Sequence, residues 1–249
     1  FLLNQFSMDE YDGVLRVAST TAPSGWWWSD QSESLVSTFR LDGGELQQIG
    51  QVGGLGQGEQ IYSVRFIDDA GYVVTFRQTD PLYVIDLADP TTPRVAGELK
   101  ILGYSAYLHP VGDGLLLGVG QNADDEGRTS GTQFSLFDVS DPENPTRVDQ
   151  VKMDSGYSAA EYDHHAFTYW YGLVLTPYQS WKDNTTESGV LAVRVSDGSL
   201  TFEGVLQQQD KAPDAIRTIV IGDTIYTITY GGIGMNDLNT LESLGFESF

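Results

Sequence analysis

A short strand that ends at an Asp-containing turn recurs along the chain, and that periodicity limits the fold more than any other feature. It appears as Phe39-Arg40-Leu41-Asp42-Gly43, Val84-Ile85-Asp86-Leu87-Ala88-Asp89-Pro90, Phe137-Asp138-Val139-Ser140-Asp141-Pro142 and Val193-Arg194-Val195-Ser196-Asp197-Gly198. Asp42, Asp89, Asp141 and Asp197 stand 47, 52 and 56 residues apart, and a weaker fifth copy, Asp237-Leu238-Asn239, follows. The turn chemistry is explicit: Asp bonds its own backbone, Pro presets φ, and Gly accepts positive φ. Each period carries a second turn upstream, at Asp12-Gly13, Asp68-Asp69, Asp113-Gly114, Tyr171-Gly172 and Gly222-Asp223, with a β-rich run after it. Segments such as Arg94–Ile101 and Arg147–Met153 read as further strands, so each period holds about four. No long stretch has a helical period.

Four short strands repeated at this spacing predict an all-β fold, a β-propeller with about five four-stranded antiparallel blades. The expected blades are roughly 5–52, 60–101, 104–153, 160–208 and 214–249. Residues 1–4 are expected to be the tail of a preceding blade's outer strand. Isolated hairpins cannot bury their own apolar face, and a β-sandwich would not repeat in fours. A chain of 249 residues has length enough for such a single domain.

Charge and composition narrow the function classes. The 35 acidic residues against 13 basic ones give a net charge of −22. Such a surface repels nucleic acid and anionic lipid, and favours cations. No apolar run is long enough to span a bilayer. Cysteine is absent, which removes disulfides, Cys-liganded zinc, iron–sulfur clusters and Cys nucleophiles.

Several runs carry a family likeness: Leu3-Asn4-Gln5-Phe6-Ser7-Met8-Asp9-Glu10-Tyr11, Tyr62-Ser63-Val64-Arg65-Phe66, Val74-Thr75-Phe76-Arg77-Gln78-Thr79-Asp80-Pro81-Leu82 and Ser135-Leu136-Phe137-Asp138-Val139-Ser140-Asp141-Pro142. The chain resembles the C-terminal β-propeller domain family of secreted bacterial and archaeal proteins, distantly related to WD40 repeats. The resemblance implies export to the cell surface or medium, and further blades preceding this segment. It implies no particular reaction. Tyr162-Asp163-His164-His165-Ala166-Phe167 resembles a family motif with one firm His, so only one of the pair is expected to share its role.

Three constellations are candidates for binding. Arg65, His109, His164 and His165 fall in the first expected strand of successive blades, which lines a propeller's central channel. Converging there, they would hold an anion or, through His, a transition metal. The loop carrying Asp124, Asp125 and Glu126 is a candidate Ca²⁺ site without EF-hand spacing. Trp26, Trp27 and Trp28 cannot all enter one core, because neighbouring side chains alternate in extended backbone. At least one is expected to contact a sugar, an aromatic or a protein. Tyr169, Trp170, Tyr171 and Trp181 form a second aromatic zone.

No Gly-x-Ser-x-Gly elbow or phosphate-cradling glycine motif is present, and no catalytic residue is assigned. The expected function is a non-enzymatic, exported scaffold. Its expected partner is a protein, a polysaccharide or another copy of itself, met through exposed blade edges. The alternatives are a metal-dependent hydrolase or lyase on an extracellular polymer, and a calcium-stabilised structural module.

Overall fold

The computed structural model describes residues 1–21, 31–76, 80–112, 114–182, 185–207 and 214–249. Most of them are in strands. The first sheet contains β1 (Met8–Tyr11), β2 (Val14–Thr21), β3 (Glu33–Asp42) and β4 (Glu45–Leu55). The second contains β5 (Gln60–Ile67), β6 (Ala70–Phe76), β7 (Asp80–Asp86) and β8 (Arg94–Ile101). In the third are β9 (Tyr104–Gly112), β10 (Leu115–Ala123), β11 (Thr129–Asp138) and β12 (Thr146–Lys152). The fourth holds β13 (Tyr157–Ser158), β14 (Thr168–Trp170), β15 (Leu173–Lys182), β16 (Thr185–Ser196) and β17 (Ser199–Leu206). The fifth holds β18 (Ala215–Ile221), β19 (Thr224–Thr229), β20 (Gly232–Asp237) and β21 (Ser243–Ser248). Strands pair antiparallel in chain order within each sheet, except that β13 and β14 both pair with β15, so each sheet is one blade of the all-β propeller architecture.

The blades share a construction. In every one, the pairing of the third strand with the outermost strand slips by one residue: at Thr38/Phe39, Val84/Ile85, Leu136/Phe137, Ala192/Val193 and Met235/Asn236. Such bulges bend the outer strand and increase its twist, as stacked blades require.

The Asp-Pro turns do more than reverse the chain. Asp89 Oδ1 accepts from Thr91 N at 2.9 Å, and Asp141 Oδ1 accepts from Glu143 N at 3.1 Å. The prolines of those turns press on the outer strand of the previous blade. A Cβ at Gly50 would lie 2.4 Å from Pro90 O, and one at Gly97 would lie 2.4 Å from Pro142 O. Glycine is needed at both places for close approach, since each φ is ordinary. Thr38 Oγ1 adds a hydrogen bond of 2.6 Å to Pro90 O.

Apolar cores lie between successive blades. Ala18 and Val36 of the first blade meet Val64 and Ile85 of the second. Val74 and Val84 meet Leu108 and Phe137. Val119 and Phe134 meet Val174 and Leu191. Leu175 and Ala192 meet Ile225. Among the described residues these are four cores for five blades, and no such core joins the fifth blade to the first.

Two expectations need correcting. Phe1–Asn4 forms no strand. Phe1 exchanges backbone hydrogen bonds with Thr20 of β2, and Asn4 caps a 3-10 turn at Gln5–Ser7. His164 and His165 are likewise not in a strand. They lie in a 3-10 turn, His164–Ala166, because the Asp163 side chain accepts from His165 N and turns the chain.

Candidate functional site

Blades 2, 3 and 5 begin with one continuous inner strand of seven to nine residues: β5, β9 and β18. Blade 4 does not. Its inner strand is split into β13 and β14, both paired to β15, with two 3-10 turns between them, Ala159–Glu161 and His164–Ala166. The break is written locally. Ser158 and Glu161 form a capping box, with the Ser158 hydroxyl accepting from Ala160 N and Glu161 Oε1 accepting from Ser158 N at 2.7 Å. Asp163 then caps the second turn.

Glu161 is drawn into the interface with blade 3. Its carboxylate also accepts from Gln121 Nε2 at 2.8 Å and from Thr132 Oγ1 at 3.1 Å. Desolvation pushes its pKa up, opposed by the Ser158, Gln121 and Thr132 hydrogen bonds. No cation balances it in any of these contacts, so neutral donors hold the charge.

The turns deliver His164 and His165 to a cluster built from four other elements. Arg65 of β5 donates through Nε and Nη2 to Leu108 O, at 3.0 and 2.7 Å. Its guanidinium lies 3.9 Å from the Phe6 ring centroid and 5.3 Å from that of Tyr107. Phe6 packs edge-on against His164, with centroids 5.0 Å apart, and the Gln5 side-chain amide contacts the same imidazole. Tyr107 Oη is 3.2 Å from His109 Nδ1. The His109 ring also packs on Phe167 at 4.8 Å and Tyr169 at 5.2 Å.

The four side chains singled out by the repeat therefore stand together. Arg65 and His109 share Tyr107, and His164 is linked to them through Phe6. His165 sits at the rim, its Nδ1 3.0 Å from Asp163 Oδ1 and its ring 3.9 Å from that of His164.

Electrostatics keeps the inner imidazole neutral. Burial, aided by the Arg65 charge, pushes His109 down to about 4. His164 is lowered by burial and by His165, against the pull of Asp163. Arg65 is lowered too, through desolvation. Asp163 is raised by desolvation, but the His165 hydrogen bonds outweigh this and its pKa ends below the usual range.

Beside this cluster lies an exposed aromatic group that the sequence had only half indicated. Tyr157 packs on Tyr162, at 5.8 Å between centroids, and on Trp181, at 5.2 Å. Tyr162 is 71% exposed and Trp181 55% exposed. Tyr157 Oη donates to Gln179 Oε1 at 2.8 Å, and Gln179 Nε2 donates to Asp214 Oδ1 at 2.7 Å. Trp170 and Tyr171 pack on each other elsewhere in the blade, at its β14–β15 turn.

The remaining candidates fare differently. Asp124 accepts from the backbone N–H groups of Glu126 and Arg128, and the Arg128 guanidinium pairs with both Asp124 and Glu126. These are exposed surface ion pairs, worth little individually. Among the described residues, only Asp163, His164 and His165 bring three ligand atoms within 4.8 Å of one another; Asp124, Asp125 and Glu126 do not. Trp26, Trp27 and Trp28 lie outside the described residues.

Sequence reasoning missed Gln5, Phe6, Tyr107, Tyr157, Tyr162 and Glu161. A signal for Glu161 was present: Ser158-Ala159-Ala160-Glu161 has the S-x-x-E spacing of a capping box.

Comparison with known proteins places this geometry in context. A family model described as a beta propeller domain matches residues 1–241. An uncharacterized protein of Methanocaldococcus jannaschii is 36% identical over 254 residues, covering 100% of this chain and 37% of the relative. An uncharacterized protein of Archaeoglobus fulgidus is 36% identical over 247 residues, covering 98% of this chain and 35% of the relative. The chain thus spans little more than a third of the length of these curated relatives.

Proposed function

The chain belongs to the beta propeller domain family, and on that premise we propose that it is a non-enzymatic binding scaffold. Its ligand is an extended polar polymer, a polysaccharide, laid on the aromatic group of blade 4. One observation carries the reading: Tyr162 and Trp181 remain exposed while both pack against Tyr157, beside the Gln179–Asp214 pair. Pre-packed rings keep their geometry without a ligand, so little ordering is needed on binding. Flat aromatic faces stack on the C–H faces of sugars, and a flanking amide and carboxylate bond the hydroxyls.

The scaffold reading includes work at the cell surface or outside the cell, where such polymers are met; the family resemblance of the sequence supports that placement.

A panel of immobilised polysaccharides tests the proposal. The protein is expected to retain at least one of them, and Trp181→Ala with Tyr162→Ala is expected to weaken retention by tenfold or more. Failure to retain any polysaccharide, or retention unchanged in the double variant, overturns the reading.

A further inference from the structure

We infer that Asp163, His164 and His165 form a binding site for one divalent transition-metal ion of the zinc class. This goes beyond the polysaccharide reading and does not depend on it, because metal occupancy needs no polymer.

Three successive side chains rarely aim at one point. In a strand they would alternate between faces. Here Asp163 ends the extended backbone and the 3-10 turn follows at once, so one ligand atom from each residue falls within 4.8 Å of the other two. The donor set is two imidazoles and one carboxylate. Imidazole suits zinc, cobalt, nickel and copper, whereas calcium and magnesium want oxygen alone. Three protein ligands with open positions remaining is also the arrangement of exchangeable zinc sites.

The details around the three residues fit a cation. The hydrogen bonds of Asp163 to His165 both use Oδ1. Oδ2 makes no hydrogen bond to a described residue and is free to ligate. His165 Nδ1 already stands 3.0 Å from Asp163 Oδ1, so a neutral imidazole and the carboxylate can share one ion in place of that hydrogen bond. The Gln5 amide nitrogen contacts His164 Nε2 and would give way to an ion there. His165 is exposed and the other two are half-buried, so an ion has an entry path. A net charge of −22 raises the local cation concentration.

The break in the inner strand of blade 4 gains a purpose on this reading. Continuing the strand would have kept its ladder with β15 unbroken. The chain instead spends two capped turns on presenting these residues.

The test is calorimetric titration of the chelator-stripped protein with Zn²⁺, repeated with Co²⁺ while its visible absorption is followed. One ion per chain is expected, with the Co²⁺ spectrum changing as nitrogen ligands replace water. His164→Ala and His165→Ala are each expected to weaken Zn²⁺ binding by about tenfold or more. Asp163→Asn keeps the capping oxygen, so folding should survive while affinity falls. Glu126→Gln, in the acidic loop of blade 3, should leave affinity unchanged. Far-ultraviolet dichroism separates lost binding from lost fold. Absence of saturable Zn²⁺ binding overturns the inference, and so does binding that survives both His substitutions. If Ca²⁺ or Mg²⁺ at millimolar concentration displaces Zn²⁺, the nitrogen-ligand assignment is wrong.

Discussion

Blades 3 and 4 share one apolar core yet treat their inner strands in opposite ways. In blade 3, β9 runs unbroken for nine residues and spends its side chains on packing: Leu108 is buried, Tyr107 nearly so, and His109 is held neutral. In blade 4 the corresponding stretch contributes a two-residue strand and a three-residue strand, and between them lie the exposed Tyr162, the carboxylates Glu161 and Asp163 and the paired imidazoles. The blade that keeps the regular pattern uses its inner strand for packing, and the blade that breaks it presents the candidate sites. Local departures from the rules of a repeat are where function is expected to reside.

The contrast can be broken first at the shared core. Phe134 of blade 3 is fully buried against blade 4. Phe134→Ala should cost about 3–5 kcal/mol in chemical denaturation. If the two blades depend on that core equally, a near-ultraviolet signal and a far-ultraviolet signal will shift together. Separate transitions would show that blade 4 holds its site without blade 3.

A smaller effect is expected at the polar tie. Glu161→Ala takes the acceptor from the Ser158 N–H and the Thr132 hydroxyl and leaves Gln121 only Gly156 O, which should cost about 1–3 kcal/mol. An effect no larger than that of an exposed substitution would mean that the broken strand is fixed by its caps alone.

At neutral pH the smallest effect should be that of His109 in blade 3, which shows only as pH falls. His109 ordinarily titrates near 6.5 but does so near 4 when folded, so the unfolded chain takes up a proton that the folded chain refuses. Its contribution to stability is present above 6.5 and is lost as pH falls through 6.5 toward 4. His109→Asn should flatten that part of a plot of melting temperature against pH. An unchanged slope would place the neutral imidazole in doubt. Arg65, Tyr107, Phe167 and Tyr169 face this ring and should be left intact in the experiment.

The architecture was legible because it is repeated. Asp89-Pro90 and Asp141-Pro142 announce turns by short-range chemistry, and the alternation in Val14–Thr21 announces a half-buried strand. What those turns do to the preceding blade was hidden: the approach of Pro90 to Gly50 joins positions 40 residues apart, and nothing local encodes it. The site was partly legible. Arg65, His109 and the His164-His165 pair could be placed by their phase in the repeat. Phe6 and Gln5, which tie His164 to the cluster, come from a segment that precedes the first strand and has no phase to read. His164 and His165 read as strand residues, since the caps at Ser158 and Asp163 are weaker signals than the repeat around them.

Four cores joining five blades have a mechanical meaning. Among the described residues, load applied between the first and the last blade passes through each core in turn, and the contacts of Gln5 and Phe6 bypass the cores only as far as blade 4. The strength of such a series is that of its weakest link. The core between blades 4 and 5 has the fewest buried members, Leu173, Leu175, Val190, Ala192, Leu206 and Ile225. Under tension the fifth blade should be the first to part, leaving the broken strand of blade 4 and its side chains still clamped against blade 3.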